Sequence, residues 1–153
     1  MQWRVYMDSC CFNRPFDDLS DAMVYMESEA VLAIIDLQER GNSVICGSDV
    51  LVDELNRITD KIRFEKVMAL YTSSTSNSIE LCESIINRAS ELIKESVKPL
   101  DALHVASAEY EEVDVFLSTD KKLLNASKRL DFHVRAYNPA VWLLEVLQDE
   151  QQS

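Results

Sequence analysis

The chain has 153 residues, 47% of them hydrophobic and 27% charged, the profile of one soluble globular domain with a single sizeable core. Its net charge of -12 and pI near 4.5 exclude an extensive basic face for nucleic acid, but not nucleic-acid chemistry, because acids that converge on cations account for part of such a charge. With Gly41 and Gly47 as the only glycines, neither a P-loop nor a GxGxxG fingerprint can be written, and having only His104 and His133 argues against a paired-histidine ribonuclease or a His-rich zinc site.

The first predicted element is a buried strand, "WRVYMD", followed from Asp17, Asp18 or Ser20 by a helix to about Arg40. Ala22, Met26, Ala30, Ile34 and Leu37 recur on that helix at core spacing, and Gly41 stands at the C-terminal cap. "SVICGSD" reads as a second strand; Ser48 or Asp49 caps a helix through "VLVDELNRI", and after a break near Asp60 another helix runs to about Tyr71. "TSSTSNS", Thr72 to Ser78, is read as a connecting loop. "SIELC" is a third strand, and a helix from Glu83 to Glu95 follows, with Ile85, Ile86, Ala89, Leu92 and Ile93 as its apolar face. Pro99 opens "KPLDALHVASAEY", another helix; then come strand "VDVFLS", helix "DKKLLNASKRL", strand "FHVRAY" and a closing helix "PAVWLLEVL". Alternating strands and helices predict a three-layer α/β/α fold around a central, mainly parallel sheet of about five strands.

No repeat and no Pro/Gly/Ser-rich linker divides the chain, so one domain is expected over residues 1–148 with a short polar tail over 149–153. The N-terminus lacks the pattern of a secretory signal and no window reaches the roughly 20 apolar residues of a membrane span, so a cytoplasmic protein without membrane association is expected. Cys10, Cys11, Cys46 and Cys82 form no CxxC and are read as reduced structural thiols.

Ligands of open parallel sheets bind beyond the carboxyl ends of the strands. Four acids stand there: Asp8 leaves strand one, Glu54 lies on the helix after strand two, Asp101 falls in the first turn behind Pro99, and Asp120 follows strand four. Each has a local reading as well. Asp101 complements a helix dipole, Asp120 is an N-cap, and Glu54 is one of six acids between Asp36 and Asp60, whereas a charge at the end of a buried strand, as at Asp8, is costly unless solvated or paired. Acids about 4 Å apart repel by roughly 4 kcal/mol per pair at an effective dielectric near 20, so a converged cluster requires protons or cations, and all-oxygen ligands suit Mg²⁺ or Mn²⁺.

The stretches "YMDSCCFNR", "SDVLVDEL", "PLDALHVASAE", "VFLSTDKKL" and "YNPAVWL", in this order, resemble the PIN-domain nucleases, the family that includes the VapC-type toxins of bacterial toxin-antitoxin pairs. The resemblance implies a PIN-like fold and a divalent-metal-dependent ribonuclease. In it Asp8, Glu54, Asp101 and Asp120 match the acidic metal-binding set, with Asp8, Asp101 and Asp120 holding Mg²⁺ or Mn²⁺ and Glu54 ligating or orienting the attacking water. Ser118 matches the small hydroxyl residue two positions before the last acid, and Asn13 falls in a loop that often carries a polar residue. The implied partners are single-stranded or structured RNA and an antitoxin protein.

His104 reads as a packed, hydrogen-bonded histidine, and Trp3 and Trp142 as packing residues. Arg14, Arg57, Lys61, Arg63, Lys121 and Lys122 lie near the strand exits as candidate phosphate contacts. Apolar Met23, Tyr25, Val31 and Ile35 offer a homodimer surface. Two other classes fit part of the pattern: a catalytically silent PIN-like protein-binding module, and a phosphoacceptor domain, which Asp120 with Lys121 matches only loosely.

Overall fold

A computed structural model describes residues 2–152, with side chains through Asp149; Met1 and Ser153, the last residue of the expected tail, lie outside the described residues. Five strands, β1 (Trp3–Met7), β2 (Ser43–Ser48), β3 (Asn77–Ile79), β4 (Val115–Leu117) and β5 (Ala136–Tyr137), form one sheet in the order β3-β2-β1-β4-β5, and every pairing is parallel. The helices are α1 (Ser9–Asn13), α2 (Ala22–Glu39), α3 (Asp49–Leu55), α4 (Lys61–Ser74), α5 (Glu83–Lys94), α6 (Pro99–Tyr110), α7 (Lys121–Arg129) and α8 (Pro139–Gln152). Helix α2 packs with α8 and α5 with α6, completing the α/β/α layers, as a sheet apolar on both faces requires.

The chain runs outward from β1 to β2 and β3, then returns to β4 on the opposite side of β1. The strand order therefore reverses between β1 and β4, which opens a crevice beyond their carboxyl ends. Met7 pairs with Leu117 across that boundary, so the next residues along each strand, Asp8 and Ser118, leave the sheet side by side.

Several local expectations are corrected. The segment 72–78 is not a loop: α4 continues to Ser74, because Ser74 Oγ and Thr75 Oγ1 donate to the carbonyls of Leu70 (2.6 Å) and Tyr71 (2.8 Å) and finish the last turn, and β3 already begins at Asn77. The third strand ends at Ile79 rather than reaching Cys82, since the Leu81 amide leaves the sheet to donate to Asp49 Oδ2 at 2.8 Å. The fifth strand shrinks to Ala136–Tyr137, with the His133 amide diverted to Glu109 Oε2. A short helix, α1, follows Asp8 where only a loop was expected.

The core stripe of α2 also differs. It comprises Ala30, Val31, Ile34 and Ile35, while Ala22 and Met26 are exposed, because Glu27 is turned inward to meet Arg14 Nε (3.0 Å) and Asn138 Nδ2 (2.6 Å) and sets the rotation of the helix. Val31 and Ile35 are consequently core residues and offer no dimer surface, whereas Met23 and Tyr25 are about half exposed. On α5, Ile86 and Ile93 face outward and Ile85, Ala89 and Leu92 inward. Trp3 and Trp142 pack edge to face, 5.8 Å apart, as expected of packing residues.

The two glycines serve different needs. Gly41, at φ +81°, takes the left-handed turn that ends α2. Gly47 has ordinary dihedrals but no room: a Cβ there would lie 2.5 Å from Tyr71 Oη, which accepts the Ser48 amide at 3.1 Å. Gly47→Ala must push the phenol off this strand exit, and an unfolding free energy lower by about 1–3 kcal/mol is expected by urea denaturation; an unchanged midpoint would refute the close approach.

Candidate metal centre

Asp8 is 5% exposed at the mouth of the crevice, where its amide donates to Leu117 O at 3.1 Å and ties β1 to β4 at their ends. The Cys10 thiol donates to Asp8 Oδ1, and Cys10 Sγ in turn accepts from the Thr119 amide at 3.3 Å. Burial pushes the Asp8 carboxyl well above the usual carboxylate range, Cys10 adds to the shift, and Ser118 opposes it. Ser118, fully buried, accepts from the Asp120 amide at 3.0 Å and so fixes the turn that carries the last acid.

Asp120 is the N-cap of α7: its Oδ1 accepts from the Lys122 and Leu123 amides at 2.9 and 3.3 Å. Asp101 sits in the first turn of α6, half-buried, and burial, then Asp120, and also Glu54 push its carboxyl up, while His104 and Lys98 pull it down. Asp101 is thus within electrostatic reach of Asp120 and Glu54, which stand on elements separated from it in the chain.

Glu54, on the last turn of α3, is held from below. His104 Nε2 lies 2.7 Å from Glu54 Oε1, His104 Nδ1 lies 2.6 Å from Tyr6 Oη, and Tyr6 Oη lies 2.8 Å from Ser48 Oγ. With a neutral ring and an ionised Glu54, Nε2 donates to the carboxylate, Nδ1 accepts from Tyr6, and the Tyr6 oxygen accepts from Ser48. Ser48 Oγ also accepts from the Leu51 amide at 3.0 Å, so the row begins at the cap of the very helix that carries Glu54. Burial alone would raise the Glu54 carboxyl, but His104, Ser9 and Arg57 outweigh it and the net shift is downward.

Strand exits and helix starts thus carry the four acids named from the sequence to the carboxyl end of the sheet, and three of them turn to a protein partner: Asp8 to Cys10, Glu54 to His104, Asp120 to its own helix. Among the described residues, the group whose ligand atoms all lie within 4.8 Å of one another is Asp8, Cys10 and Cys11. His104 is the packed, hydrogen-bonded residue expected, and it also positions Glu54. Tyr6 and Cys10 were not singled out as site residues; the bonds of Tyr6 to His104 and of Cys10 to Thr119 run between distant segments, and no local spacing announces them.

The donor chemistry fits a hard divalent cation. No ion pair among the described residues reaches Asp8, Asp101 or Asp120, although the raised carboxyls of Asp8 and Asp101 favour a positive neighbour. The nearby arginines are committed elsewhere: Arg14 to Glu27 and Asp17, Arg63 to Asp17, and Arg57 to Asp53.

The family model described as "PIN domain" matches residues 6–129. The chain therefore belongs to the PIN-domain family, whose members are nucleases that generally use divalent metals. It is similar in fold to a chain in the crystal structure of VapBC2 from Rickettsia felis bound to a DNA fragment from their promoter (14% identity, TM-score 0.60, covering 88% of this chain and 98% of that one). It is likewise similar to a chain of a toxin-antitoxin complex from Klebsiella pneumoniae (16%, 0.60, 88% and 97%) and to PAE2754 from Pyrobaculum aerophilum (13%, 0.57, 97% and 99%). No curated protein sequence matches the chain. None of the helices among the described residues is long and apolar enough to cross a membrane.

Two outcomes follow. Tyr6→Phe strands His104 Nδ1 and the Ser48 hydroxyl, and a loss of about 1–3 kcal/mol is expected by chemical denaturation; no loss would mean that water replaces the phenol. The pH dependence follows from Asp8 and Asp101, whose folded pKa values lie above the ordinary 3.8. The folded chain then holds more protons than the unfolded one, so their contribution is present below 3.8 and lost as pH rises through the native values. Glu54, shifted down, opposes this only below its ordinary 4.5. A cation can replace those protons, so the rise in Tm produced by Mn²⁺ should be larger at pH 8 than at pH 5; equal increments in thermal scans would contradict it.

Proposed function

We propose that the chain is a metal-dependent endoribonuclease, acting in the cytoplasm as the toxin of a toxin-antitoxin pair. The observation that carries this reading is the set of acids at the carboxyl ends of β1 and β4, of which Asp8 is raised by burial and Asp101 by burial, Asp120 and Glu54, with no ion pair to Asp8, Asp101 or Asp120 among the described residues. Asp8, Asp101 and Asp120 would hold Mg²⁺ or Mn²⁺, with Glu54 beside them. Such a cation supplies Lewis acidity to the phosphodiester and acidity to a water.

The protein's own part is positioning and proton transfer. Glu54, kept ionised and held by His104, would orient the attacking water and accept its proton. Ser118 and Cys10 hold Asp8 and the Thr119–Asp120 turn in register, so that acids from β1 and β4 face the same phosphate. The toxin assignment draws on the fold relatives, two of which come from complexes described as VapBC2 and as toxin-antitoxin. An antitoxin reaching into the crevice with an arginine would meet carboxylates that lack a cationic partner. Met23 and Tyr25 on α2 are the exposed part of the expected homodimer surface.

The test is cleavage of fluorescent single-stranded RNA by purified protein with Mn²⁺, Mg²⁺ or EDTA, beside Asp8→Asn and Asp101→Asn. Cleavage should require the metal and fall at least about 100-fold in both variants. Activity that survives EDTA or Asp8→Asn would sink the mechanism, and a folded protein that binds no divalent cation would instead be a catalytically silent PIN-like binding module.

A further inference from the structure

Beside the acids lies a groove of about 320 Å³ between the start of α6 and the outer face of α7. Asp101 and Asp120 stand on its wall, and Lys98, Lys122, Asn125 and Arg129 share it, over a floor that includes Leu123. Lys98, Lys122 and Arg129 are all exposed, and none of them forms an ion pair among the described residues. Of the 15 lysines and arginines, Arg4, Arg14, Arg40, Arg57, Arg63 and Arg88 are engaged by carboxylates; these three are not, and they gather on one groove. The only acids lining the groove are the two of the candidate metal centre.

We infer that this groove is the substrate track: Lys98, Lys122 and Arg129 hold the RNA phosphates that flank the one presented to the acids, and Leu123 and Asn125 lie beneath the adjoining nucleotide. The inference rests on the ribonuclease reading and adds the direction in which the strand leaves the metal centre, along α7. The volume is at the lower end for ligand sites and suits a single strand rather than a duplex. Wall and floor also divide the work: cations for a backbone present in every RNA, and an apolar patch with one amide for a base or ribose. It resolves the conflict between a net charge of -12 and a polyanionic substrate, because attraction is concentrated along one short path instead of being spread over the surface. It also reassigns the candidate phosphate contacts: of those named from the sequence, Lys122 lies on the track while Arg14, Arg57 and Arg63 pair with carboxylates of the chain itself.

The test is binding of a fluorescein-labelled 12-nucleotide single-stranded RNA, read by anisotropy with Mg²⁺ between 50 and 300 mM salt. It uses Asp8→Asn protein to suppress turnover, with and without Lys98→Gln, Lys122→Gln and Arg129→Gln together, and Arg40→Gln on α2 as the charge control. Each phosphate contact contributes about 0.7 to the salt slope for a single strand, so the triple variant should lose about 2 from that slope and at least about tenfold in affinity at 50 mM salt. Arg40→Gln should change neither, and circular dichroism of the triple variant should match its parent, since all three side chains are exposed. An unchanged slope and affinity in the triple variant would overturn the track while leaving the ribonuclease reading intact. If the otherwise unmodified chain neither binds nor cleaves RNA with Mg²⁺ or Mn²⁺, the ribonuclease reading fails first and the track falls with it.

Discussion

Asp8 is a carboxylate sealed at the end of a parallel strand, and much of the neighbouring structure is arranged around the cost of leaving it there. Burial disfavours its ionised form, no arginine or lysine offsets that, and the groups that do reach it are a thiol and a hydroxyl, both weak partners for a charge. A site built only for stability would place a guanidinium beside it. The chain has guanidiniums nearby and spends them on Glu27, Asp17 and Asp53, which leaves Asp8 with a deficit of positive charge beside it.

The deficit is local because the topology makes it so. Reversal of the strand order between β1 and β4 brings Asp8 and Ser118 out of the sheet as neighbours, and the helices that follow β2 and precede β4 deliver Glu54 and Asp101 to the same end. Glu54 differs from the others in being tethered by a buried row, Ser48 to Tyr6 to His104, that begins on one strand exit and crosses beneath the sheet edge. One acid is therefore kept ionised and oriented while two others are raised, an asymmetry suited to dividing proton transfer from cation binding.

The order of strands and helices was legible from periodicity and caps: Asp120, Ser48, Pro99 and Gly41 all occupy the helix ends their residue types favour. The failures share a cause. The α2 stripe was misread because Glu27, an acid, is buried, and hydropathy places acids outside; the end of α4 was misread because Ser and Thr, which signal loops, here close a helix through their own backbone bonds. The acids could be named because they stand at strand exits and helix starts, whereas the bonds of Tyr6 to His104 and of Cys10 to Thr119 depend on pairings between segments far apart in the chain. The cations of the groove were invisible for a different reason, since a lysine's charge says nothing about whether an acid will claim it.

The buried Glu27 carries one more implication. Its two oxygens join Arg14, just behind the first strand, to Asn138, just ahead of the last helix, and so close a ring that contains nearly the whole chain. Joining such distant points is the usual task of a disulfide, where the gain comes from denying the unfolded chain its freedom. Here the four cysteines stay free and a carboxylate makes the connection. A staple of this kind is indifferent to reductant, and unlike a covalent one it confines only the folded chain, leaving the unfolded ensemble as open as before.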